Sequence, residues 1–128
     1  MTRPVKSETK EAIRLLILKA TQEPASSVSR TVADAVGALS VYADMGGSLA
    51  LTPEGEVIHY DFENGATSIP EEKMQKFARM RAAKCFPELR DLAPESPDNA
   101  TSCPVCSGRG EILRGIYCGK CVGMGWID

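Results

Sequence analysis

Four of the five cysteines in this 128-residue chain form two closely spaced pairs near its C-terminus. The pairs are Cys103/Cys106 and Cys118/Cys121, and both have the spacing CxxC. A CxxC turn directs both sulfurs to one side, and two such turns together make a tetrahedral thiolate site for Zn²⁺. Because four sulfurs leave no open coordination position, the spacing predicts one structural zinc ion per chain.

Each cysteine pair continues with two glycines at the same spacing, so that CxxCxGxG occurs twice, at 103–110 and 118–125. Glycine two residues after the second cysteine permits a positive φ and lets backbone N–H groups turn toward the sulfurs. The residues between the repeats include Ile112, Leu113, Ile116 and Tyr117 around a glycine. They predict two short strands joined by a turn, and residues 103–128 therefore predict a small zinc ribbon.

The paired repeats, CPVCSGRG and CGKCVGMG, resemble the cysteine-rich zinc region of DnaJ-type co-chaperones. That family binds zinc through pairs of such repeats, and the single pair here implies a half-length module with one zinc ion. The sequence has no J-domain His-Pro-Asp triplet, because Tyr60 follows His59, so recruitment of an Hsp70-class chaperone is not implied. The stretch CFPEL and the tail GMGW also resemble small uncharacterised bacterial proteins that end in a half-ribbon.

The elements that must position the ribbon are predicted from apolar periodicity. A first helix begins at Ser7 and ends before Pro24, and a second, packed on the first, runs from Val28 through Leu39 and Tyr42 to Gly46-Gly47. Leu49 and Leu51, the turn at 53–55 and the strand formers at 57–60 then predict a hairpin. The turn Asn64-Gly65 allows a short third strand at 66–69.

A third helix is predicted after Ser68 and Glu71, which have the spacing of a capping box, and its apolar stripe continues to Cys85. Pro87 ends this helix, and Leu89 and Leu92 predict a short turn after it. The fold class is therefore α+β, with three helices around a two- or three-stranded antiparallel sheet, followed by a four-cysteine zinc ribbon. Composition predicts an α+β domain at 1–93, a linker at 94–102 and the ribbon at 103–128.

Composition and charge restrict the class of function. The 15 basic and 17 acidic residues give a net charge of −2, so the whole molecule is not an electrostatic nucleic-acid binder. No apolar run approaches the length of a membrane span, and charged residues occupy the place of a signal peptide. A cytoplasmic location with reduced thiols follows as the expectation.

Outside the ribbon, no residue pattern predicts catalysis or a small-molecule substrate. His59 is the one histidine and is expected on a strand surface, and Cys85 is expected to be a buried, inert thiol. Asp61 and Glu63 alternate along the same predicted strand, where a solvated face is favoured over a pair of catalytic carboxylates. A cationic run on the third helix is interpreted as a solvated face in preference to an RNA site, and consists of Lys73, Lys76, Arg79, Arg81 and Lys84.

We therefore expect a non-enzymatic protein that binds a protein partner as an interaction or adaptor module. Trp126 is expected to cap the junction between the ribbon and the N-terminal domain, with an exposed binding anchor as the alternative. A bacterial toxin-immunity protein is one specific form, supported by an acidic surface made of Glu54, Glu56, Asp61 and Glu63. The alternatives are a nucleic-acid-binding ribbon that uses Arg109, Arg114 and Lys120, and a thiol-disulfide oxidoreductase or chaperone-like factor.

Overall fold

A computed structural model describes residues 5–22, 27–44, 46–96, 98–113 and 116–127 of the chain. Helices precede and follow a sheet, and short strands form the C-terminal end. In chain order the elements are α1 (Ser7–Gln22), α2 (Ser27–Val36), β1 (Leu39–Asp44), β2 (Gly47–Leu51), β3 (Val57–Asp61), β4 (Ala66–Ser68), α3 (Glu72–Cys85), a 3-10 helix (Pro87–Leu92), β5 (Thr101–Ser102), β6 (Glu111–Leu113), β7 (Ile116–Tyr117) and β8 (Trp126–Ile127).

The second helix is shorter than the sequence predicts, because Gly37 ends it. Gly37 has a φ of +64° and donates its backbone N–H to the Ala33 carbonyl, which closes the last helical turn. Leu39 and Tyr42, predicted on that helix, lie on β1 instead. The register of β1 against β2 shifts between Ser40 and Tyr42, and this bulge places Leu39 and Tyr42 on one face of the strand. Their three-residue spacing therefore imitates a helical repeat.

The central sheet is an antiparallel meander in the order β1-β2-β3-β4. The predicted hairpin is confirmed as β2 and β3, and the predicted third strand as β4. The sheet has four strands, and not the predicted two or three, because the residues of β1 form a strand and not the end of the second helix. The α+β fold class is correct.

The two faces of the sheet bury different apolar clusters. Leu49, Leu51 and Val57 belong to a cluster that includes Ile13 of α1 and Phe77 of α3. Ala50 on the other face of β2 packs with Val32 of α2 and with Ala38. The alternation along β2 and β3 therefore positions α3 on one face, and α3 is the helix on which the C-terminal cysteines pack.

The predicted capping box of α3 does not form. Ser68 pairs with His59 in the sheet, and Glu71 at the N-cap makes no side-chain capping hydrogen bond. At the other end, the 3-10 helix after Pro87 is confirmed. Its Leu89 and Leu92 are buried in the main cluster. Cys85, at the end of α3, is exposed, so the expectation of a buried thiol is wrong.

The C-terminal residues form a small ribbon of two short two-stranded sheets, β5-β8 and β6-β7. The predicted pair of strands between the repeats is confirmed as β6 and β7. The sulfur-bearing residues are part of the main hydrophobic cluster, together with Phe77 and Ala78 of α3. The boundaries 1–93, 94–102 and 103–128 stay a prediction. Among the described residues, no helix combines the length and the apolar character that a membrane span requires.

Candidate metal centre

The four paired cysteines converge at one buried point. Their sulfurs all lie within 4.8 Å of one another, and every one of the four residues is buried. The Sγ atoms of Cys103 and Cys118 are 3.8 Å apart, and those of Cys106 and Cys121 are 3.7 Å apart. Thiolates bound tetrahedrally at about 2.3 Å from zinc have sulfurs about 3.8 Å apart. These two pairs therefore have the sulfur spacing of a tetrahedral zinc site, and the residues present fit such an ion.

The two repeats have the same local geometry, with every residue offset by fifteen positions. Ser107 and Val122 are the two non-glycine residues with positive φ among the described residues, at 55° and 53°. The amides of Gly108 and Gly123 donate to the carbonyls of Cys103 and Cys118, at 3.1 and 3.2 Å. Each CxxCxGxG segment thus folds by the same local hydrogen bonds.

The last glycine of each repeat forms hydrogen bonds with a sulfur of its own repeat and with the backbone of the opposite repeat. Gly110 and Gly125 donate their N–H groups to the Sγ atoms of Cys106 and Cys121, each at 3.2 Å. The Gly110 carbonyl accepts from Cys118 N, and the Gly125 carbonyl accepts from Cys103 N. The two repeats are therefore joined by reciprocal backbone hydrogen bonds as well as by the sulfurs.

The surroundings of the cluster shift the pKa values of two of its thiols in opposite directions. Burial raises the pKa of the Cys121 thiol to about 11, and its neighbouring thiols act in the same direction. Burial also opposes ionisation of Cys106, but the Gly110 amide and the surrounding thiols outweigh it and lower the pKa of Cys106 to about 7. A metal ion bound by all four sulfurs would therefore have to displace the proton of Cys121.

Aromatic side chains connect the second repeat to the N-terminal elements. Phe77 of α3 is buried, and its ring centroid lies 4.5 Å from that of Tyr117 and 4.9 Å from that of Tyr42. A Cβ atom at Gly123 would lie 2.7 Å from Phe77 Cδ1, so only glycine permits this approach. The bulge in β1 is what turns Tyr42 to the same face as Leu49, toward α3.

Two cations of α3 contact the first repeat and the strand that follows it. Arg81 forms an ion pair with Glu111 at 3.2 Å and lies 5.8 Å from the centre of the Tyr42 ring. Lys84 Nζ donates to the Arg109 carbonyl at 3.3 Å. Phe77, Arg81 and Lys84 follow helical spacing and form one face of α3. The cationic run is therefore not uniformly solvated, and burial also lowers the pKa of Arg79.

The repeats differ in the residues that flank their glycines, and this difference matches their packing. Ser107 and Arg109 of the first repeat are exposed. The equivalent residues of the second repeat, Val122 and Met124, are buried in the main cluster. This contrast in side-chain polarity is the signal in the sequence that indicates which repeat packs inward.

The predicted binding residues are distributed over the ribbon. Arg109 and Lys120 are exposed, whereas Arg114 lies outside the described residues. Trp126 is half-buried against the main cluster and pairs with Ser102 across β5 and β8. Thr101 and Ser102, which directly precede Cys103, thus pair with Ile127 and Trp126.

The remaining candidates lie on the meander. His59 is half-buried on β3 and borders a shallow groove with Tyr42, Leu49 and Met74. Glu63 lies in the turn after β3 and does not alternate with Asp61 on one strand. A hydrogen bond from the Asn64 side chain, with another from the Glu63 amide, lowers the pKa of Asp61. Asp61 therefore stabilises a turn.

Comparisons with models of protein families, with curated proteins and with solved structures find no match for this chain. The fold and the site define an α+β protein with a zinc-ribbon-like end that carries a possible metal site.

Proposed function

We propose that this chain is a non-enzymatic protein-interaction module whose C-terminal ribbon is stabilised by one structural zinc ion. The observation that carries the proposal is the exposure of large apolar side chains on the β6–β7 hairpin. Ile112, Leu113 and Ile116 are 46%, 65% and 49% exposed and lie between the two buried cysteine pairs. Large apolar side chains that are exposed together on a short ribbon are typical of a protein-binding surface.

Zinc is proposed because the donors are four thiolates in a closed tetrahedral arrangement. Cys103, Cys106, Cys118 and Cys121 would hold the ion, which supplies folding free energy to the ribbon. A closed site does not present a metal-bound water, which supports a non-enzymatic role. The CxxC pairs lie in turns and not at helix N-termini, the usual setting of redox-active pairs, which favours a structural metal over thiol-disulfide exchange.

A protein partner is favoured over a nucleic acid because of the type of residue that is exposed. Proteins that bind single strands present aromatic side chains on which bases stack. In the described part of the ribbon, Tyr117 and Trp126 pack against the main cluster, and the exposed large apolar residues are aliphatic. The exposed ribbon cations Arg109 and Lys120 are proposed to flank a protein-binding surface.

A toxin-immunity role is the more specific form of the proposal, and a second surface supports it. Glu54 and Glu56 are exposed in the turn between β2 and β3, where they would complement a basic toxin, whereas Glu63 is exposed in the turn at the opposite end of β3. Under this form, Glu54→Lys with Glu56→Lys should abolish capture of the partner. Capture that survives this charge reversal would contradict the toxin-immunity form alone.

The test of the general proposal is co-purification with matched variants. Leu113→Ser with Ile116→Ser should release the protein that co-purifies with the wild-type chain. The control, Leu15→Ser with Leu18→Ser, changes residues of α1 that are 53% and 45% exposed, and it should retain the partner. Equal retention by both variants would contradict the proposal. Loss of the captured material on nuclease treatment would favour the nucleic-acid alternative.

A further inference from the structure

The β6–β7 hairpin has open edges. In the described part of the chain, β6 pairs with β7 and with no other strand, and the same is true of β7. An open strand edge presents backbone N–H and C=O groups at the spacing of a sheet, and another extended segment can pair with it. The edge therefore offers backbone recognition beside the apolar side chains.

The side chains of the hairpin determine which segment would fit. Leu113 lies opposite Ile116 in the ladder, and both are exposed. Such cross-strand pairs are stabilised by a further apolar side chain in register with them. A segment that adds a strand here must therefore carry apolar residues at alternate positions, because alternate side chains share one face.

Charge determines the remaining positions of the segment. Arg109 precedes β6 by two residues, Lys120 follows β7 by three, and both are exposed. Glu111 is the one carboxylate among the described residues from 101 to 127, and Arg81 of α3 already pairs with it. The exposed charges described in this segment are consequently the two cations. A second copy of the same hairpin would bring these cations together, whereas an acidic segment would neutralise them.

We propose, on the basis of the protein-binding function proposed above, that the β6–β7 hairpin binds an extended peptide segment in which apolar and acidic residues alternate. The segment pairs with an open edge of the hairpin. Its apolar side chains contact Leu113 and Ile116, and its carboxylates lie near Arg109 and Lys120.

The first experiment measures fluorescence anisotropy with the full-length, zinc-loaded chain. The probe is a short fluorescein-labelled peptide of alternating valine and glutamate. One matched peptide has lysine in place of glutamate, and another has N-methylated backbone amides. The Val-Glu peptide should bind with an affinity that falls as salt is raised, and each matched peptide should bind at least roughly tenfold more weakly.

Variants then assign the binding to the hairpin. Leu113→Lys should weaken binding of the Val-Glu peptide roughly tenfold or more, as expected for a central apolar contact. Its control, Leu15→Lys, changes a residue of similar exposure on α1 and should have no effect. Lys120→Glu should weaken the Val-Glu peptide and strengthen the Val-Lys peptide. Zinc content equal to that of the wild-type chain verifies that each variant keeps its ribbon.

Several outcomes would overturn the inference. They are equal binding of the Val-Glu and Val-Lys peptides, a concentration-dependent dimer that Leu113→Lys dissociates, and displacement of the peptide by an oligouridine. Absence of peptide binding, while the hairpin variant still releases the co-purifying protein, would refute this inference and leave the proposed function intact. Failure of both experiments would refute both.

Discussion

Replacement of Gly125 by alanine should weaken the cysteine cluster through backbone geometry alone. Gly125 has a φ of +86°, and a Cβ atom there would lie 2.6 Å from the Gly108 carbonyl oxygen in the opposite repeat. The left-handed conformation costs an alanine about 1–2 kcal/mol. Overpacking against a backbone atom costs about 1–3 kcal/mol more, since that atom moves only with its repeat. The free energy of unfolding should therefore fall by about 2–5 kcal/mol.

The same change should lower the affinity for zinc, because metal binding and folding of the ribbon are coupled. A loss of about 3 kcal/mol corresponds to roughly a hundredfold weaker binding. Competition with a chromophoric zinc chelator measures the affinity, and denaturant unfolding measures the stability. The control is Gly119→Ala in the same repeat, where no heavy atom lies within 4 Å of the added Cβ. If the two variants have equal zinc affinity and equal stability, the proposed contact between repeats is refuted.

Three further predictions concern the metal and the packing of the ribbon. Serine at Cys103, Cys106, Cys118 or Cys121 should remove the zinc and unfold the ribbon, whereas Cys85→Ser, at an exposed position, should keep one zinc per chain by elemental analysis. Phe77→Ala should lower the free energy of unfolding by about 3–5 kcal/mol in denaturant titrations, whereas the exposed Leu15→Ala should change it little. Zinc affinity should rise from pH 6 to pH 8, because the metal must displace protons from Cys106, with a pKa of about 7, and from Cys121, with a pKa of about 11. An affinity independent of pH would contradict thiolate ligation.

The turns that carry the cysteines could be predicted from the sequence because the interactions within each repeat are local. The spacing CxxCxGxG fixes which amide reaches which sulfur, and the glycines permit the positive φ values that the turns require. The end of α2 could not be predicted in the same way. The β1 bulge gives Leu39 and Tyr42 a common face at a three-residue spacing, so a strand has the apolar period of a helix.

Contacts between distant segments account for the other errors. Ser68 and Glu71 have the spacing of a capping box, but Ser68 pairs with His59 in the sheet, so that β4 continues almost to the helix. Cys85 follows the apolar stripe of α3 but is exposed, and Leu89 and Leu92 of the following 3-10 helix are buried in the core instead. In both cases the local sequence pattern favours the predicted structure, and tertiary packing overrides that local preference.

The orientation of the ribbon is nevertheless encoded in the differences between its repeats. The hydrogen bonds described above would be satisfied equally well if either repeat faced α3, so the shared motif does not choose between them. The choice rests on two pairs of equivalent positions, Ser107 with Val122 and Arg109 with Met124. Burying the second repeat removes the two apolar side chains from water and leaves the serine and arginine hydrated. Gly123 then contacts Phe77, Glu111 pairs with Arg81, and the β6–β7 hairpin is left with Leu113 and Ile116 exposed to a partner.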